Sequence, residues 1–140
     1  MKIKLAKSEI IHFVGIGGIG MSGLSLIMKG KGFKIQGSDM STNKNIERLK
    51  KEKIKVLIGH KKQNINKATI LVVSSAIKKN NPELLEAKKR QLPIYKRGEM
   101  LANIVSLCAL SAIFKTSFNL FLSKSTGIIC FVFALVLYFA

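Results

Sequence analysis

Ile10-Ile11-His12-Phe13-Val14-Gly15-Ile16-Gly17-Gly18-Ile19-Gly20-Met21-Ser22-Gly23 is the stretch that decides how this chain folds. An apolar, β-branched run enters a glycine turn. The residues beyond, Met21, Leu24, Ile27 and Met28, recur at the spacing of one helix face. Gly15, Gly17 and Gly20 carry the G-x-G-x-x-G spacing. In that geometry Gly15 permits the tight turn off the strand, Gly17 lets a phosphate approach the backbone, and Gly20 lets the helix pack close to the sheet. The N–H groups that open the helix, at the positive end of its dipole, then face an anion, which points to a site for a nucleotide diphosphate. Asp39 follows about twenty residues later, after Phe33-Lys34-Ile35, where an acid holds a ribose hydroxyl in such folds.

Working outward, five short apolar segments read as strands: Ile10–Val14, Phe33–Gln36, Val56–Ile58, Ile70–Val73 and Ile94–Tyr95. Helical patterns or turn-rich connections separate them. Ser41 and Thr42 are candidate caps for a helix through Ile46 and Leu49. Asn81-Pro82-Glu83 is a strong helix start, with a capping Asn, Pro at the first position and an acid in the first turn. A further helix is expected near Glu99, with Leu101, Ile104 and Val105 on one face. Strands alternating with helices predict an α/β fold: a Rossmann-like, doubly wound parallel sheet of about five strands. Ligands of such sheets lie at the carboxyl ends of the strands. The candidates are therefore Gly15 to Ser22, Ser38-Asp39, Gly59-His60, Ser74-Ser75-Ala76 and Arg97.

The formal charge of +17 is extreme, and lysine supplies most of it. With no aromatic–basic interleaving to stack bases, the basic runs read as solvated helix faces and turns rather than a nucleic-acid surface. The positive field still favours an anionic ligand. Cys108 and Cys130 are the only cysteines, which excludes a disulfide scaffold and zinc-ligand spacing. The first residues lack the apolar core of a signal peptide, so the main body is expected in the cytoplasm.

Five blocks occur in order: Gly15-Ile16-Gly17-Gly18-Ile19-Gly20-Met21-Ser22-Gly23, Gly37-Ser38-Asp39, Ile58-Gly59-His60, Val72-Val73-Ser74-Ser75-Ala76-Ile77 and Arg97-Gly98-Glu99-Met100-Leu101. Together they resemble the N-terminal domain of the Mur ligase family of peptidoglycan synthesis, in its UDP-N-acetylmuramate–L-alanine ligase branch. The resemblance spans roughly Lys4 to Val105. It implies an ATP- and magnesium-dependent ligation, in which the carboxylate of UDP-N-acetylmuramate is phosphorylated and then attacked by the amine of L-alanine. It implies that this domain holds the UDP part, while a central domain carries the P-loop and the metal, and a C-terminal domain closes over ATP. By this likeness Gly15, Gly17, Gly18, Ile19, Gly20, Met21 and Ser22 cradle the diphosphate. Ser38 and Asp39 lie beside the ribose and uracil, and His60, Ser74, Ser75 and Ala76 line the uridine side. Asp39 as a helix cap, His60 as a satisfied turn histidine, and Ser74 and Ser75 as strand-end caps remain open alternatives. His12 reads as structural. No residue is assigned to catalysis or to a metal, and Arg97 and Glu99 have no defined role.

No G-x-x-x-x-G-K-[ST] occurs in the sequence, so the chain by itself is expected to bind no ATP or magnesium and not to ligate. Beyond Ser106 the acids disappear, and Gly127 to Ala140 is uncharged and apolar but short of the length of a spanning helix. The expected organisation is a UDP-sugar-binding domain over 1–106 and a non-family tail over 107–140, either frameshifted or a marginal membrane segment, with the central and C-terminal domains missing. Two rival readings stand beside this one. One is an NAD(P)-binding Rossmann domain of an oxidoreductase or regulatory subunit. The other is a basic module tethered to a membrane through the tail or bound to nucleic acid.

Overall fold

The computed structural model describes residues 6–106, so the expectations for the tail, 107–140, fall outside the described residues. Strands β1 (Ile10–Val14), β2 (Lys34–Asp39), β3 (Lys55–Ile58), β4 (Ile70–Val73) and β5 (Ile94–Lys96) form one sheet in the order β3-β2-β1-β4-β5. Every pairing is parallel. Helices α1 (Ile19–Gly30), α2 (Lys44–Lys51) and α3 (Pro82–Lys89), a 3₁₀ turn at Lys62–Ile65 and a helix α4 over 97–106 make the connections. This is the doubly wound α/β class that the sequence predicts.

β1 lies between β2 and β4, and Ile11, His12, Phe13 and Val14 are all fully buried. Side chains alternate between faces, and registered neighbours in a parallel sheet share a face. Val14, Leu71 and Val73 therefore pack with Leu84 and Ala87 of α3 and with Ile65. His12 and Gln36 are register partners, as are Val14 and Ser38. That face thus carries a polar strip of His12, Gln36 and Ser38 beneath α3.

Three helices end in the same way. Gly32, Lys53 and Gln91 have positive φ, and the next residues, Phe33, Ile54 and Leu92, return N–H groups to Met28, Leu49 and Ala87 carbonyls at 3.2, 3.0 and 2.9 Å. This is the Schellman ending, and its apolar last residue leads the chain towards β2, β3 and β5. Phe33 therefore belongs to a helix ending, and β2 begins one residue later than expected and runs through Asp39.

Three local expectations are corrected. Asn43, not Ser41 or Thr42, caps α2, its Oδ1 accepting from Ile46 N–H at 3.0 Å. On α1 the buried stripe is Met21, Leu24 and Met28, while Ile27 is exposed. On α4, Met100 and Ile104 are buried one turn apart, while Leu101 and Val105 face outwards. Among the described residues, no helix is long and apolar enough to cross a membrane.

Candidate functional site

The turn after β1 is fixed from below by β2. Gly15 and Ile16 donate to the Ser38 carbonyl at 2.9 and 3.0 Å, and Gly15 has φ +79, a conformation that glycine tolerates. Gly17 is held on both of its polar groups. Its N–H donates to Asp39 Oδ2 at 2.8 Å, and its carbonyl accepts from Asn43 at 3.2 Å and Asn45 at 2.8 Å. A Cβ on Gly17 would lie 2.9 Å from both Asp39 Oδ2 and Asn43 Nδ2. The glycine is therefore required by the protein's own β2–α2 side chains, a reason that the spacing alone did not supply.

Gly18 starts α1 without a side-chain cap, and no acid stands in the first turn. Gly18 is exposed, and Ile19 is 88% exposed. Met21 and Ser22 are buried, so they can present only backbone to a ligand; Ser22 Oγ donates back to the Ile19 carbonyl at 3.0 Å. A Cβ on Gly20 would meet the guanidinium of Arg97. Gly20 thus makes room for Arg97, the first residue after β5, as well as opening the helix. A guanidinium beside an uncapped helix N-terminus leaves this corner positive.

Beside the loop lies a buried polar network. Glu83, in the first turn of α3, is fully buried. Its Oε2 accepts from Ser38 Oγ at 2.6 Å and faces His12 Nε2 at 3.4 Å and His60 Nδ1 at 3.4 Å. Its Oε1 accepts from Asn64 Nδ2 at 2.5 Å and from Lys61 N–H at 3.4 Å. Burial opposes the charge, but the hydrogen bonds from His12, Ser38 and Asn64 outweigh it and hold the carboxyl below its ordinary value. Among the described residues, no cluster of three His, Cys, Asp or Glu is placed to hold a metal ion.

The predicted residues separate into groups. Gly15 to Gly20 and Asp39 meet at the loop. Ser38 is fully buried, with its hydroxyl committed to Glu83, and His60 Nδ1 lies 3.1 Å from that hydroxyl. Ser74 Oγ accepts from Ala76 N–H at 3.4 Å, and its N–H donates to the Val14 carbonyl at 3.2 Å. Ser75 and Ala76 are exposed in the turn after β4. In the sequence Glu83 shows only as an acid favouring a helix start. The signal that it is buried was His12 in the middle of a buried strand, which needs a polar partner.

Fold and loop together place the chain in the class of doubly wound α/β domains with a glycine turn after the first strand, at the carboxyl edge of the sheet. The profile described as "Mur ligase family, catalytic domain" matches residues 10–107, and the chain belongs to the Mur ligase family. It is similar to the UDP-N-acetylmuramate–L-alanine ligase of Pelagibacter ubique, at 78% identity over 107 residues, covering 76% of this chain and 23% of that protein. The ligase of the same name from Bartonella bacilliformis is 53% identical over 105 residues, covering 75% and 22%. Among solved structures, the UDP-N-acetylmuramate–alanine ligase of Thermotoga maritima superposes with a TM-score of 0.68 at 30% identity, over 70% of this chain and 23% of that one. The chain spans about a quarter of the length of these relatives.

Proposed function

We propose that this chain is the UDP-binding N-terminal domain of a UDP-N-acetylmuramate–L-alanine ligase. The diphosphate would lie on the N–H groups that open α1, with Arg97 beside it, and the uridine would extend towards Asp39 and His60. The observation that carries this reading is the uncapped, acid-free start of α1 on a loop pinned by Asp39, Asn43 and Asn45. Such a loop is already shaped before an anion arrives, which lowers the ordering cost of binding. ATP, magnesium and L-alanine would be handled by the central and C-terminal domains that the family carries. The names of the relatives favour this reading over an NAD(P)-binding oxidoreductase and over a basic membrane module.

The test is calorimetry of the chain with UDP-N-acetylmuramate, UDP and NAD. Binding of the two uridine compounds, abolished by Gly17→Val, is expected. Preference for NAD, or unchanged affinity in the variant, overturns the proposal.

A further inference from the structure

We infer that Glu83 is a positioning residue that sets the hydrogen-bonding sense of His60, so that His60 Nε2 offers a lone pair to the bound nucleoside. This rests on the uridine-side placement proposed above and adds to it a residue and a direction.

The assignment of hydrogens follows from the network. Gln36 Nε2 donates to the Asn64 carbonyl at 3.1 Å, which fixes its amide, and the same nitrogen lies 3.2 Å from His12 Nδ1. His12 Nδ1 is therefore an acceptor, and its Nε2–H points at Glu83 Oε2. Ser38 has one hydrogen, and 2.6 Å to Glu83 Oε2 is too close for two bare lone pairs, so that hydrogen lies between them. His60 Nδ1 then faces only acceptors, Ser38 Oγ at 3.1 Å and Glu83 Oε2 at 3.4 Å, and must carry the hydrogen. The other ring nitrogen, Nε2, is left bare.

That nitrogen reaches the surface. The His60 side chain is only 8% exposed. Among the described residues no buried side-chain nitrogen or oxygen lacks a partner, and no hydrogen bond reaches His60 Nε2. The nitrogen must therefore be open to solvent. A ring more than nine-tenths buried, with its one unpartnered atom outwards at the carboxyl edge of β3, is built to meet a ligand. Its partner must be a donor: the imide N–H of the base or a ribose hydroxyl.

Every group facing Glu83 supports one tautomer. His12 on β1, Ser38 on β2, His60 and the Lys61 amide after β3, and Asn64 on the 3₁₀ turn are all donors. Glu83→Gln removes the charge and turns one acceptor into a donor, which releases the lock on His60.

The experiment is heteronuclear NMR of the histidine side-chain nitrogens of the full chain, with calorimetry using UDP, its 3-methyl and 2′,3′-dideoxy analogues, and inorganic diphosphate. His60 protonated on Nδ1 and His12 on Nε2 are expected in the wild type. Glu83→Gln should shift His60 towards the other tautomer and weaken UDP about tenfold, the scale of one hydrogen bond, with diphosphate unchanged. One of the two analogues should show the same loss in the wild type. A wild-type His60 protonated on Nε2 overturns the inference without any variant. Equal losses for UDP and diphosphate in Glu83→Gln, or no loss with either analogue, also overturn it. A wild-type chain that binds neither UDP nor diphosphate overturns the proposed function instead.

Discussion

Asp39 holds the Gly17 N–H at 2.8 Å, and this one contact changes what its removal does. A carboxylate that only met the ribose would matter only to the nucleoside. One that also pins the loop proposed to hold the diphosphate matters to the anion as well. Asp39→Ala is expected to weaken UDP by about 1–3 kcal/mol, the range for a hydrogen bond to a charged group, and to weaken inorganic diphosphate too. Calorimetry with both ligands checks this, and a loss confined to UDP would contradict the pinning role. Gly17→Ala is the companion test. Its Cβ would lie within 3.0 Å of Asp39, Asn43 and Ile46, so a destabilisation of about 1–3 kcal/mol in urea is expected even without ligand. The three loop glycines were legible because their spacing is local. The partners that make Gly17 and Gly20 necessary were not, because Asn43, Ile46 and Arg97 come from other elements and no local pattern carries that contact.

At the level of elements, the ends of helices were read unevenly. Asn81-Pro82-Glu83 was legible because every residue acts locally. Asn81 Oδ1 accepts from Glu83 and Leu84 N–H at 2.9 and 3.3 Å, so Asn81→Ala is expected to cost about 1 kcal/mol in thermal or urea unfolding. The stops at Lys53 and Gln91 gave no such sign, because neither is glycine, although φ is 58 and 54 there. A side chain in that conformation costs about 1 kcal/mol, so Lys53→Gly and Gln91→Gly should each raise stability by about that much, read from the urea midpoint. Strand positions were accessible from apolar runs, and the parallel class from their alternation with helices, whereas the order β3-β2-β1-β4-β5 rests on contacts between distant segments that no local run displays. The exposed Ile27, Leu101 and Val105 were misassigned because periodicity gives a face but not which of two adjacent stripes is covered.

For the molecule as a whole, the buried carboxylate of Glu83 ties α3 to β1, β2, the residues after β3 and the 3₁₀ turn, so its charge state bears on global stability. Its folded pKa is held below the ordinary value. Such a group contributes stability above its unfolded value, about 4.3, and loses that contribution as pH falls through the folded value. The urea midpoint of the wild type should exceed that of Glu83→Gln near neutrality, and the gap should close below about pH 4. A gap that stays constant to pH values near 3 would show that size, not charge, is what Glu83 supplies. This buried charge was the least legible part of the chain, since an acid in a first turn ordinarily points to water.

The central place of β1 carries a consequence for how the domain breathes. Held on both sides by parallel neighbours, its amides open only when the sheet itself comes apart, whereas those of Ile19, Gly20 and Met21 project from an uncapped helix start. In deuterium exchange the β1 amides should be the slowest in the domain and those first-turn amides among the fastest. An anion settling on the loop would then print its footprint on a few fast amides against a background already silent, and the slowest clock among the described residues would run a few residues before some of the quickest.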